Sequence, residues 1–238
     1  MHKIEVNGLI VDVVRKDIKN LHLGVYPPNG RVRVAAPLRV DDEAVRLAVI
    51  TRLAWIKRQQ AQFDAQERET RREYLNGESH YYLGVRYRLN IIEEDAPPKV
   101  VIRNKQYIDV YIRPGSDTDQ RERVMTAWYR ANLKEMIPPL IEKWEPIIGV
   151  DVTDWGVKQM KTKWGSCNIE AHRIWLNLEL IKKPPRCLEF IIVHEMVHLL
   201  ERKHNERFIE LVSQFMPQWR QYREELNRVP LAHAEWKY

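Results

Sequence analysis

The segment VHEMVHLLERKHNERF, Val193–Phe208, sets three histidines and a glutamate among Ile191, Ile192, Val193, Met196, Val197, Leu199 and Leu200. Burying an unpaired polar group costs several kcal/mol, so any fold of this chain has to give these groups partners. His194 and His198 are four residues apart, which on a helix brings both imidazoles to one face, about one turn from each other. Two imidazoles placed so can share a single ion, and the ion would compensate their burial. The plainer alternative is a pair of core histidines beside a solvated Glu195.

In an H-E-x-x-H arrangement the two histidines bind zinc, and the glutamate between them acts as general base toward the metal-bound water. The expectation is one Zn²⁺ per chain, held by His194 and His198, with Glu195 catalytic. A structural zinc site fits less well, because such sites usually close their tetrahedron with cysteines. The chain has only Cys167 and Cys187, whose separation matches neither a zinc ribbon nor a CxxC motif and excludes a disulfide framework.

His204 is the expected third ligand. It follows His198 by six residues, the metzincin spacing, but Glu201 stands where those enzymes have glycine, so the chain has to turn differently. Arg202, Lys203 and Asn205 mark a helix end, with Asn205 a C-terminal turn or the cap of the next helix. Glu210, Glu224 and Glu225 remain alternative carboxylate ligands.

The rest of the chain reads as α+β, with a strand-rich N-terminal half that carries a long helix. IEVNGLIVDVV and LHLGVYPPNGRVRVAAP alternate, and Pro27-Pro28-Asn29-Gly30 predicts a hairpin turn. Asp41 or Asp42 caps a helix with Val45, Val49, Leu53 and Ile56 on one face, fading into the charged run DAQERETRRE. Strands resume in HYYLGVRYRLNIIEED and KVVIRNKQYIDVYIRPG. TDQRERVMTAWYRANLKEMIPPLIEKW then predicts a helix with Val124, Trp128, Leu133 and Ile137 on one side, broken at Pro138-Pro139.

A domain boundary is expected near Gly115, giving a strand-rich region 1–115 and a catalytic domain 116–238. In the second, two strands flank a turn at Asn168–His172. Pro184-Pro185 opens a helix through His198, and a last helix runs from about Asn205 to Asn227, interrupted near Pro217. No internal repeat and no low-complexity segment is apparent.

At 238 residues and 44% hydrophobic, the chain can build one large core or two modest ones. Its 39 Lys and Arg against 33 Asp and Glu give +6, spread along the sequence, which permits nucleic acid or phosphate contact without requiring it. No apolar run approaches the ~20 residues that span a bilayer, so no membrane is expected and the cytoplasm is the default compartment.

With HExxHxxxxxHN in place and KTKWGSCN upstream, the chain resembles the YgjP-like metal-dependent hydrolases, relatives of the SprT-like zincins. GESHYYLGVRYRLNI and KTKWGSCNIEAHRIWLNLELIKKPP extend the likeness from about residue 20 to about residue 225. The resemblance implies a zincin-like C-terminal catalytic half, zinc on His194, His198 and His204, and Glu195 as catalyst.

Trp164, Gly165, Ser166 and Cys167 precede a strand marked by Ile174, Leu176 and Leu178, which can lie beside the catalytic helix. Trp164, Gly165 and Ser166 are therefore cleft candidates, although a core tryptophan and a turn glycine fit as well. Cys167 is either a latency ligand or a small buried residue, and Met216 either a Met-turn residue or core. A cation for the oxyanion could come from Arg173, Arg207 or His172.

Peptide hydrolysis is the leading expectation. Lys158, Lys161, Lys163 and Arg173 suggest a second, a nucleoside triphosphate pyrophosphatase using the same metal, although the chain has no GxxxxGK[ST] phosphate loop. Arg15, Lys16 and Lys19 suggest a third, nucleic-acid binding by the N-terminal half, in keeping with SprT-like relatives that act on proteins attached to DNA.

Overall fold

The computed structural model describes residues 1–26, 30–65, 72–160 and 163–228. The expected turn at Pro27–Asn29, most of the charged run after Ala65, and Lys161 lie outside these. The chain divides into two compact units, one within Met1–Arg68 and one within Glu69–His233. The boundary expected near Gly115 falls inside the second unit, because the strands before it and the helix after it share one core.

In the first unit, strands β1 (His2–Val6), β2 (Leu9–Lys16), β3 (His22–Tyr26) and β4 (Arg31–Pro37) form a sheet of order β1-β2-β4-β3. The outer pairs are antiparallel and the central β2–β4 pair is parallel. Asn7 and Gly8, both at positive φ, form the two-residue β1–β2 turn, the left-handed pair that a type I′ hairpin requires. Alternation sends Val11, Val13, Val32 and Val34 inward against Val45, Val49 and Ile56. Those three belong to α1 (Asp42–Ile50), whose N-cap Asp41 accepts from Ala44 N, and to α2 (Leu53–Ala65). The single helix expected here is thus two, parted at Thr51–Arg52.

The second unit begins with β5 (Ser79–Tyr82), β6 (Val85–Glu93), β7 (Lys99–Arg103) and β8 (Tyr107–Ile112), in the order β5-β6-β8-β7. Again the outer pairs are antiparallel and the centre parallel. Leu83 and Gly84 repeat the left-handed hairpin pair, and a helix capped by an aspartate follows, Asp117 in place of Asp41. The topology therefore repeats although the sequence shows no repeat.

Helix α3 (Thr118–Ile148) passes through Pro138 and Pro139 without the expected break. A proline inside a helix costs about 3 kcal/mol. Beyond the pair, however, Ile141, Trp144 and Ile148 continue the buried stripe of Met125, Tyr129, Leu133 and Ile137, each worth about 1.5–3 kcal/mol. Trp144 Nε1 and Lys143 Nζ also donate to Glu189 Oε1 at 2.9 and 2.6 Å, which fastens this end of α3 to the next long helix.

That helix, α4 (Pro185–Val197), follows a small sheet of β9 (Asp154–Lys158), β10 (Gly165–Asn168) and β11 (Arg173–Asn177) in the order β10-β11-β9. The two strands expected in this stretch are joined by a third, with β9 parallel to β11. A 3-10 turn, Leu178–Lys182, leads into α4, and α5 (Glu206–Phe215) and α6 (Trp219–Arg228) close the unit, parted at Pro217 as expected. Helix α4 packs on α3, α5, α6, β10 and β11, which explains why it is apolar nearly all round. No helix among the described residues is long and apolar enough to cross a membrane.

The Leu83–Gly84 turn fixes where α4 begins. Leu83 N and Gly84 N donate to Ile181 O and Lys182 O at 2.9 and 3.2 Å, and a Cβ on Gly84 would meet Pro184 Cγ at 2.7 Å. Gly77 has the same φ of +81° but nothing within 4 Å. Gly84→Ala should therefore destabilise by about 1–3 kcal/mol more than Gly77→Ala, since both bear the left-handed penalty and only one meets a neighbour. Thermal unfolding of the two variants measures the difference, and equal losses would mean that the turn does not brace α4.

Candidate metal centre

Nine of the thirteen residues of α4 are buried, and the helix presents His194, half-buried, and Glu195, 4% exposed, in its last turns. His198 is its C-cap. Its Nδ1 lies 3.1 Å from Glu201 O, a bond that orients the ring and leaves Nε2 to face the site. After Glu201 the chain turns back, and Asn205 caps α5 by accepting from Phe208 N at 3.0 Å. His204, just before that cap, thereby returns toward α4, with His204 Nε2 3.0 Å from His194 Nε2.

One ligand atom from each of His194, His198 and His204 lies within 4.8 Å of the others. Tetrahedral ligands at ~2.0–2.1 Å from zinc stand about 3.3 Å apart, so this set of three imidazole nitrogens fits such an ion. Burial, followed by the nearby His198, His204 and Arg223, pushes His194 down to about 3 in the metal-free protein. Burial likewise lowers His198. Both are held as neutral imidazoles, the form that ligates.

Phe208 supports all three rings. It stacks on His198 at 4.6 Å and meets His194 and His204 edge-on at 4.9 and 4.7 Å. Among the alternative ligands, Glu225 is paired with Arg186, Glu210 and Glu224 are exposed, and none joins the three-histidine group.

The histidines open onto a cleft of about 1420 Å³. One wall is β10 and its approach, where Lys163, Trp164, Gly165, Ser166 and Cys167 all line the space. Asn177, fully buried, holds this approach by donating from Nδ2 to Met160 O and Lys163 O at 2.9 and 2.8 Å, while its backbone N donates to Trp164 O. Glu195 rests against Gly165. Burial pushes its carboxyl up to about 8, against the downward pull of Lys163. Burial and Glu195 together push the Cys167 thiol up to about 11, so it is a thiol rather than a thiolate here.

Other expected residues stand elsewhere. Arg173 pairs with Asp154, its neighbour across the parallel β9–β11 ladder, at 2.5 Å. Arg207 is exposed in the first turn of α5, and His172 Nδ1 lies 2.9 Å from Asp151 O. None of the three lines the cleft; among the described residues, Lys163, Arg202 and Arg223 are the cations that do. Lys158 lies over the Trp175 ring at 3.4 Å, and Met216 is a core residue at the end of α5.

Asn177, Phe208 and Arg223 were not expected. A helical pattern through Trp219, Arg223 and Leu226, which all line the cleft from α6, is the signal that could have found the last.

The profile of the family described as YgjP-like, metallopeptidase domain, matches residues 19–229. Among solved structures, the chain is similar to one described as the crystal structure of the metallopeptidase zymogen of Pyrococcus abyssi abylysin. The two share 17% identity over 37% of this chain and 89% of that one, with a TM-score of 0.35. No curated protein matches the chain in sequence.

Proposed function

The chain belongs to the YgjP-like metallopeptidase family, and on that premise we propose that it is a zinc-dependent peptidase with His194, His198 and His204 as ligands and Glu195 as general base. The observation that carries this reading is the meeting of three imidazoles with one buried carboxyl group at the wall of an open cleft. When bound, the ion supplies Lewis acidity toward a carbonyl oxygen and toward water. Zinc suits the donor set, because three imidazoles with a remaining open position are what catalytic zinc sites use.

The chain's own residues supply the rest. Glu195 takes the proton of the attacking water and can return it to the leaving amine. Among the described residues strand β10 pairs with β11 on one side only, so its other edge can accept an extended polypeptide along the cleft by strand addition. Lys163, Arg202 and Arg223 provide positive charge along the same cleft.

The test is zinc-loaded protein offered an unfolded polypeptide, a nucleoside triphosphate and DNA in parallel. Polypeptide cleavage that a chelator stops and added zinc restores is the expected result. Nucleotide turnover without polypeptide cleavage would replace this reading with phosphoanhydride hydrolysis.

A further inference from the structure

Gly165 lies in β10, paired with Leu176 of β11, and is buried. A Cβ built there would stand 2.6 Å from Glu195 Oε1, 2.8 Å from Cγ and 2.9 Å from Cδ. Real side chains do not approach so closely, so something would have to move. Neither backbone is free to do so. The β10 ladder runs along β11 from Gly165 to Asn168, and Asn177 holds the residues just before it. Across the gap, α4 is fixed by Ile192, Val193, Met196 and Val197, all fully buried. The Glu195 side chain is the part that can yield.

The geometry points to Gly165 as a positioning residue, a gap in the face of β10 that decides where the Glu195 carboxylate stands. Side chains alternate along a strand, so Gly165 and Cys167 of β10 share the face that meets Glu195. At Gly165 that face is left empty, where any side chain would meet the Glu195 carboxyl group. The inference rests on reading Glu195 as the base, because only then does a shift of its carboxylate matter to turnover.

Gly165→Ala, with Glu195→Ala as its partner, tests this. A crystal structure of metal-free Gly165→Ala should show the Glu195 carboxylate displaced by about 1 Å or more with the strand and helix unmoved. Displacements of that size cost up to about 10²-fold in rate, so kcat should fall by about that factor while KM and zinc content hold. In a Glu195→Ala background, whose side chain has no atom at Cγ or beyond to meet the added methyl, the same substitution should change the residual rate by less than about threefold.

Glu195 unmoved in the crystal would overturn the proposal. So would a displaced carboxylate with parental turnover in a protein that Glu195→Gln inactivates, because its position would then be immaterial. If Glu195→Gln itself turns over at the parental rate, the general-base reading fails, and the catalytic half of this proposal fails with it.

Discussion

Replacing His194 or His198 with alanine will take the metal content from about one ion per chain to none. The two imidazoles come from the end of a helix that is packed against three helices and two strands. Their spacing therefore cannot readjust to recover a lost ligand. Losing an outer-shell partner costs a metal site about 10–100-fold in affinity, and losing a ligand from a set of three costs more. His204→Ala should weaken binding strongly as well, since its Nε2 completes the group. Glu224→Gln and Glu225→Gln should leave binding unchanged, because Glu225 is occupied by Arg186 and Glu224 points to solvent. Metal analysis after exhaustive dialysis, with thermal unfolding to confirm the fold, reads all five variants. Full retention in His194→Ala, or loss in either glutamine variant, would reassign the ligands.

What the sequence made legible follows from the range of each interaction. His194, Glu195 and His198 lie within five residues, so helical periodicity alone places them. His204 is a short step further, just before the helix start that Asn205 signals as the cap of α5. The meeting of Gly165 with Glu195 spans thirty residues and exists only because β10 packs on α4, so no local pattern announces it. Phe208 reads as one more apolar residue on the inner face of α5, and nothing in its spacing says that it carries three imidazoles.

Two misreadings of the fold have the same origin. Pro138-Pro139 is a local stop signal that the tertiary stripe beyond it overrides. The two sheets share a topology, yet their hairpins turn on Asn7-Gly8 in one and Leu83-Gly84 in the other. Asn-Gly is the usual sequence for such a turn, whereas leucine at positive φ is uncommon and is sustained here by its bond to the 3-10 turn that precedes α4.

The most direct measurement is the hydrolysis rate of Glu195→Gln against the parent at matched zinc content. Glu195 is buried beside the three-histidine group but is not part of it, so the substitution should leave zinc and thermal stability nearly unchanged. Glutamine keeps the size of the side chain and fills the same gap over Gly165, but it cannot accept a proton. Positioned general-base catalysis contributes about 10²–10⁴-fold, and the account predicts a fall of at least ~10² in the rate at which new termini appear in an unfolded polypeptide. Cleavage at the parental rate would contradict it, and loss of zinc from the variant would make Glu195 a ligand or a structural residue instead.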